Sequence, residues 1–184
     1  MQILNEMDFE LLLNDFRTLL RPYFPEHVNV LMGLISSLCD ANFKCYQANM
    51  RVISIRNSGE LDHKTISNCE LIARTVGERR VHAKFLINKT IGDSFRVKKV
   101  SSMPFDDIIY SVGEMFDRLS IEHIKQASFD KKDHEKINAS RVLSDRVLQC
   151  LKSKLQDIRE KGFYEYLKET RTYQLKEIEE EGVE

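Results

Sequence analysis

The amino-acid sequence predicts an all-α fold, a bundle of about five or six mostly antiparallel helices in a single domain of 184 residues. Long stretches repeat apolar residues at three- and four-residue spacing, the period of a helix with one buried face. Only 7 glycines and 3 prolines occur, too few to supply the turns of a many-stranded sheet. Hydrophobic residues make up 42% of the chain and charged residues 31%, a balance that folds into a solvated globule.

The first helix is expected over about residues 8–21, where Phe9, Leu12, Leu13, Phe16, Leu19 and Leu20 share a face. Asn5 is a candidate cap, with Asp8 in the first turn, and Pro22 and Pro25 stop the helix. A second helix runs from near Pro25 to about Arg56 and buries Leu31, Leu34, Ile35, Leu38, Phe43, Tyr46, Met50 and Ile53. Its other side carries Asp40, Lys44, Gln47 and Arg51, a row that reads as a solvated face with ordinary ion pairs. After the turn Asn57-Ser58-Gly59, Asp62 is placed to cap a third helix reaching about Thr90. Ile66, Cys69, Ala73, Val76, Ala83 and Ile87 form its stripe, and Arg80 falls on that stripe. A guanidinium there either snorkels to the rim or meets an acid or an anion.

Residues 92–104 form the longest non-helical segment, a short strand or a loop edge. Arg96, Lys98 and Lys99 alternate there with Phe95, Val97 and Val100. Ser102 is the expected cap of a fourth helix that ends near Ser128, with Pro104, Asp106 and Asp107 in its first turn. Ile108, Val112, Met115, Phe116 and Leu119 are its core face. Glu114, Arg118, Glu122 and Lys125 form an outer row spaced for ordinary ion pairs. Gly113 and Ser120 are small enough to admit a close helix neighbour. Asp117 and His123 stand beside the apolar stripe, as surface border or as part of a buried network. The fifth helix covers about residues 133–161. Its Leu148, Leu151, Leu155 and Ile158 form a coiled-coil-like seam that also suits packing on the bundle. A sixth helix is expected over about residues 163–180, rich in tyrosine and ending in a frayed acidic tail from about residue 177.

Several function classes drop away. The formal net charge of -1 offers no global field toward nucleic acid or an anionic membrane. The aromatics do not interleave with a basic row, which argues against a nucleic-acid binder, although the loop holding Arg96 and Lys99 keeps that class open. No apolar run approaches the ~20 residues of a membrane span. The N-terminal residues do not resemble a secretory signal. Cys39, Cys45, Cys69 and Cys150 include no Cys-x-x-Cys pair and read as reduced core thiols, which places the chain in the cytoplasm. Phosphate-binding loops, zinc helices and nucleophile elbows are missing, and the histidines show no metal-ligand spacing, so no metal site is implied and the cofactor, if any, is left unknown. One enzyme class is partly matched. Helical nucleotide phosphohydrolases hold magnesium on Glu-x-x-Glu and Glu-x-x-Asp pairs, and Glu114-x-x-Asp117 fits the second half alone.

Three segments together resemble a bacterial family of helical domains of unknown activity. Its pattern is an Asn with an aromatic four residues on, then an Arg ahead of Ile-Asp, then Ser-x5-Asp-Arg-Leu-Ser-Ile-x3-Lys. Ser111, Asp117, Arg118, Leu119, Ser120, Ile121 and Lys125 match the last segment. Asn42 and Tyr46 match the first, with Tyr where Trp is usual, and Arg80 precedes Ile87-Asn88, with Asn in place of the acid. The likeness covers about residues 38–126. It implies a helical bundle and groups Asn42, Arg80, Asp117, Arg118 and Lys125 in one constellation.

Three functions are compatible with these residues. The first is non-catalytic binding of a small anion, such as a nucleotide or phosphorylated metabolite. Arg80, Lys84, Arg118 and Lys125 would supply charge, and Asn42, Gln47, Asp117 and His123 would complete the site. The second is a homo-oligomer or protein-binding adaptor, built on the Leu148 to Ile158 seam and the tyrosine-rich last helix. The third is the metal-dependent phosphohydrolase. Whether Arg80 pairs with Asp117 or remains free for an anion separates the first reading from a purely structural ion pair.

Overall fold

The computed structural model describes residues 9–59, 62–94, 96–100 and 111–167. They form five α-helices, α1 (Glu10–Leu20), α2 (Val28–Ser58), α3 (His63–Ser94), α4 (Val112–Ser128) and α5 (His134–Lys161). Two short strands, β1 (Arg96–Val100) and β2 (Phe163–Leu167), accompany them. The all-helical bundle is therefore as expected, with five helices among the described residues.

Local chemistry explains most boundaries. The turn carrying Pro22 and Pro25 separates α1 from α2. Gly59 closes α2 with φ 76°, a left-handed conformation that favours glycine. Asp62 starts α3 as expected: its Oδ1 accepts from the Thr65 amide at 3.0 Å. At the end of α5, Gly162 adopts φ 65° and its amide donates to the Ile158 carbonyl at 3.0 Å.

Two expectations are corrected. The fourth helix begins at Val112, and its cap is Ser111, whose backbone is extended. Ser111 Oγ accepts from the Glu114 amide at 3.2 Å, and the Glu114 carboxylate accepts from the Ser111 amide at 2.8 Å, a reciprocal capping box. Ser102, Pro104, Asp106 and Ile108 lie outside the described residues, as do Asn5, Asp8 and the acidic tail. Where the sixth helix was expected to start, Gly162 leads into β2, which pairs in parallel with β1 from Arg96 opposite Phe163 to Val100 opposite Leu167, and residues 168–180 lie outside the described residues. Parallel strands need a crossover, and here α4 and α5 lie between the two in sequence.

The main core gathers apolar faces from all five helices. Phe16, Leu20, Leu31, Ile35, Leu38, Ile87, Phe116, Leu151, Leu155 and Ile158 are buried within it. Burying each such side chain contributes about 1.5–3 kcal/mol before entropy is counted. The rings of Phe16 and Phe116 meet edge to face with centroids 4.9 Å apart. Leu148 packs against this core and Leu151, Leu155 and Ile158 are inside it, so the α5 seam is part of the bundle and not an external surface. A smaller cluster of Ala48, Val52 and Cys69, with Ile66 and Ala73 against it, joins α2 to α3 alone. Cys39 and Cys69 are buried and unpaired as expected, whereas Cys150 is exposed. Among the described residues, no helix is long and apolar enough to cross a membrane.

Helix α4 runs antiparallel to α3: Asp117 meets Arg80, and Gly113 meets Lys84 and Asn88 one to two turns further along. The approach at Gly113 is close. A Cβ there would lie 2.7 Å from the Lys84 carbonyl oxygen, so only glycine lets the two backbones come this near.

Candidate functional site

The polar side chains singled out in the sequence fall on two flanks of α4. On the flank facing α2 and α3, Arg80 grips Asp117 at two points. Nε donates to Oδ1 at 2.7 Å and Nη2 donates to Oδ2 at 2.5 Å. This is the planar fork geometry that suits guanidinium and carboxylate. Asn42, from α2, donates through Nδ2 to Asp117 Oδ1 at 2.9 Å and lies 2.6 Å from Ser120 Oγ. Ser120 Oγ in turn donates to the Asp117 carbonyl at 2.9 Å. Asn42, Asp117 and Ser120 are buried, while the Arg80 side chain stays 32% exposed. Arg80 thus both meets an acid and reaches the rim, as a long amphipathic side chain on a core stripe can. Cys39 adjoins this network: burial pushes its thiol up to about 12, the Ser120 hydrogen bond opposes that rise, and the Asp117 charge adds to it.

About two turns along α3 from Arg80, Asn88 ties the start of α4 to α3. Its Oδ1 accepts from the Gly113 amide at 3.0 Å and its Nδ2 donates to Ser111 Oγ at 3.0 Å. An α-helix leaves its first amides without intrahelical partners, and Asn88 satisfies one of them from a neighbouring element.

The other flank faces α5 and is organised by Glu122. Its side chain is only 2% exposed. Oε1 accepts from Lys125 Nζ at 2.9 Å and faces Arg118 Nη2 at 3.2 Å, and Oε2 accepts from Ser140 Oγ at 2.7 Å. Gln126 extends the connection by donating to Ser140 at 3.2 Å and Ser144 at 3.0 Å. Burial pushes the Glu122 carboxyl upward, but the hydrogen bonds from Lys125 and Ser140 and the charges of Lys125 and Arg118 outweigh it. The group is held below its ordinary value of 4.5.

The expected constellation is therefore divided. Asn42, Arg80 and Asp117 are brought together; Arg118 and Lys125 belong to Glu122. His123 packs against the Phe9 ring, centroids 5.6 Å apart, beside the contact of Phe9 with Phe43. Gln47 and Lys84 are half-buried. Five residues after Asn42, Gln47 projects roughly 140° away from it around α2. Lys84 meets α4 through its backbone at Gly113. Glu122, Ser120, Ser140 and Asn88 are the participants sequence reasoning did not assign to the site. A glutamate with Arg four residues before it and Lys three residues after it was the available signal for Glu122.

An open cleft of about 570 Å³ lies elsewhere, between the end of α1 and α5, with Thr18, Tyr23, Lys152 and Gln156 on its walls. It contains none of the expected ligand residues. The two carboxylates of the phosphohydrolase reading are both engaged, Glu114 in the capping box and Asp117 with Arg80. Among the described residues, no three His, Cys, Asp or Glu side chains gather as a metal site. No buried side-chain nitrogen or oxygen among them lacks a hydrogen-bond partner.

No family model, curated protein or solved structure matches the chain.

Proposed function

We propose that this chain is a non-catalytic helical interaction protein that works by presenting helix faces to a protein partner. The observation that carries this reading is the allocation of charge and apolar surface. Arg80 is engaged by Asp117, and Arg118 and Lys125 by Glu122, so the cations best placed for an anion have internal carboxylate partners. Meanwhile Leu71 and Phe85 stand in water at 62% and 59% exposure, on a helix whose opposite side is core. Leu71 has Ile72 beside it, 49% exposed, and neighbouring apolar side chains held in water suit a protein contact. The polar residues shared with the bacterial helical family then act as register-fixing contacts that hold α4 in place.

Binding of a small anion is the second reading, and one observation favours it. Two partly exposed cations, Arg118 and Lys125, sit on a single buried carboxylate and leave a net positive charge at the surface. A thermal-shift panel of nucleotides, cyclic dinucleotides and sugar phosphates, with and without magnesium, separates the two. A ligand held at a hundredfold its dissociation constant raises stability by about 2.7 kcal/mol. The interaction reading predicts no such shift. A shift abolished by Arg118→Ala and Lys125→Ala would replace it with the anion-binding reading, and magnesium-dependent phosphate release would replace it with the hydrolase.

A further inference from the structure

The stripe that α5 turns toward the bundle changes character halfway along. Ser140, Ser144, Leu148, Leu151, Leu155 and Ile158 follow at four- and three-residue steps and so share one face. Leu151, Leu155 and Ile158 lie inside the main core, and Val147 and Leu148 pack against it. From His134 to Arg146, by contrast, no apolar side chain is buried among the described residues. Ile137 and Leu143 are half-buried, and Val142 is 52% exposed. The side-chain bonds joining this half to α4 are polar: Ser140 donates to Glu122, and Gln126 donates to Ser140 and Ser144. Local chemistry is weak here as well. Asp133 makes no side-chain capping bond at the start of α5. Asn138, Ser140, Val142, Ser144 and Asp145 all rank below the good helix formers.

The two buried carboxylates of α4 are compensated in different ways. Asp117 takes its partners from other helices, Asn42 on α2 and Arg80 on α3, so withdrawing either helix removes a partner of a buried charge. Glu122 takes both of its cations, Arg118 and Lys125, from α4 itself. From α5 it receives only the Ser140 hydroxyl. The first half of α5 can therefore leave without stranding the charge: both cations stay, and water takes the place of the hydroxyl. We infer that residues His134 to Arg146 are a latch that opens as a local unit while Leu151 to Ile158 stay in the core. Opening exchanges seam hydrogen bonds for bonds to water and gives up little buried apolar surface, the signature of a low-stability segment. No glycine or proline in α5 supplies a hinge, so the latch opens by unwinding from its first turn back to the anchor at Val147 and Leu148. It uncovers Glu122 and Gln126 on α4. This device goes beyond the interaction reading, which rests on α3, and does not depend on it.

Amide-resolved hydrogen exchange on the full chain under native conditions tests the latch. Protection of residues 138–146 is expected to be at least about tenfold lower than that of residues 151–158. Low denaturant is expected to speed exchange in 151–158 and to leave 138–146 nearly unchanged, because local opening exposes little surface. Ser140→Ala combined with Ser144→Ala is expected to lower protection of 138–146 several-fold further, with 151–158 unaltered. Equal protection in the two halves overturns the latch. So does fast exchange confined to the first turn of α5, which is ordinary end fraying. Serine substitutions that change neither half, or that speed both equally, overturn it as well.

Discussion

Arg80 and Asp117, thirty-seven residues apart in sequence, close a two-point ion pair that locks α3 to α4. The pair is supported from α2 by Asn42, so three helices converge on one carboxylate. An unpaired carboxylate at this depth would be costly, and leaving any donor out would waste a buried hydrogen bond. That interdependence ties the placement of α2, α3 and α4 to one another. It also fixes how α3 presents its opposite, solvent-facing side.

The close approach at Gly113 gives a clear sign test. Helix propensity alone would make Gly113→Ala stabilising by about 0.8–1.0 kcal/mol. The new Cβ would sit 2.7 Å from the Lys84 carbonyl, a backbone atom that cannot swing away. Overpacking of this kind costs about 1–3 kcal/mol, so a net loss of stability is expected in denaturant unfolding. A more stable variant would mean that α3 and α4 are not in this contact.

Glu122 should make the fold acid-sensitive. Its carboxyl is held below 4.5 in the folded chain, so the unfolded state binds the proton more tightly. The stabilisation is present above the unfolded value and is lost as pH falls through the lower folded value. Unfolding midpoints followed from pH 7 down to pH 3 are expected to fall less steeply for Glu122→Gln than for the parent chain. Parallel profiles would show that Glu122 gains nothing from Lys125, Arg118 and Ser140.

The thiols should differ widely in reactivity. Only the thiolate attacks alkylating reagents, and Cys39 is both buried and pushed up to about 12. Cys150 is exposed. Timed alkylation of the native chain, read by peptide mass spectrometry, is expected to label Cys150 first and Cys39 only on unfolding. Early labelling of Cys39 would indicate that the α2–α4 interface opens readily.

Much of this fold was legible because helical burial is periodic. The stripes of α1, α2, α3 and α5 appear directly in the spacing of Phe16 and Leu20, of Leu31, Ile35 and Leu38, of Val76 and Ala83, and of Leu151, Leu155 and Ile158. Arg80 was visible as an oddity for the same reason, since it occupies a stripe position. Glu122 was not. It sits in a row with Glu114, Arg118 and Lys125 that looks solvated if α4 is buried on one side only. In the fold α4 is buried on two sides, and periodicity in a single helix cannot say how many neighbours it has. The start of the expected sixth helix was misread for a related reason. Phe163-Tyr164-Glu165-Tyr166-Leu167 has the aromatic content of a strand as much as of a helix, and its partner Arg96–Val100 is far away in sequence. The grouping of Asn42, Arg80 and Asp117 with Arg118 and Lys125 came from the family resemblance alone, and only distances divide it, giving Asp117 the first two as partners and Glu122 the last two.

The most direct measurement is a double-mutant cycle on the ion pair, using Arg80→Met and Asp117→Leu alone and combined, read by equilibrium unfolding. Residues in one buried network couple by about 0.5–3 kcal/mol. If Arg80 is committed to Asp117, each single change is strongly destabilising and the double costs clearly less than their sum, by at least about 1 kcal/mol. Additive losses would contradict the account. Arg80 would then have no structural tie to Asp117 and would be available for an anionic ligand.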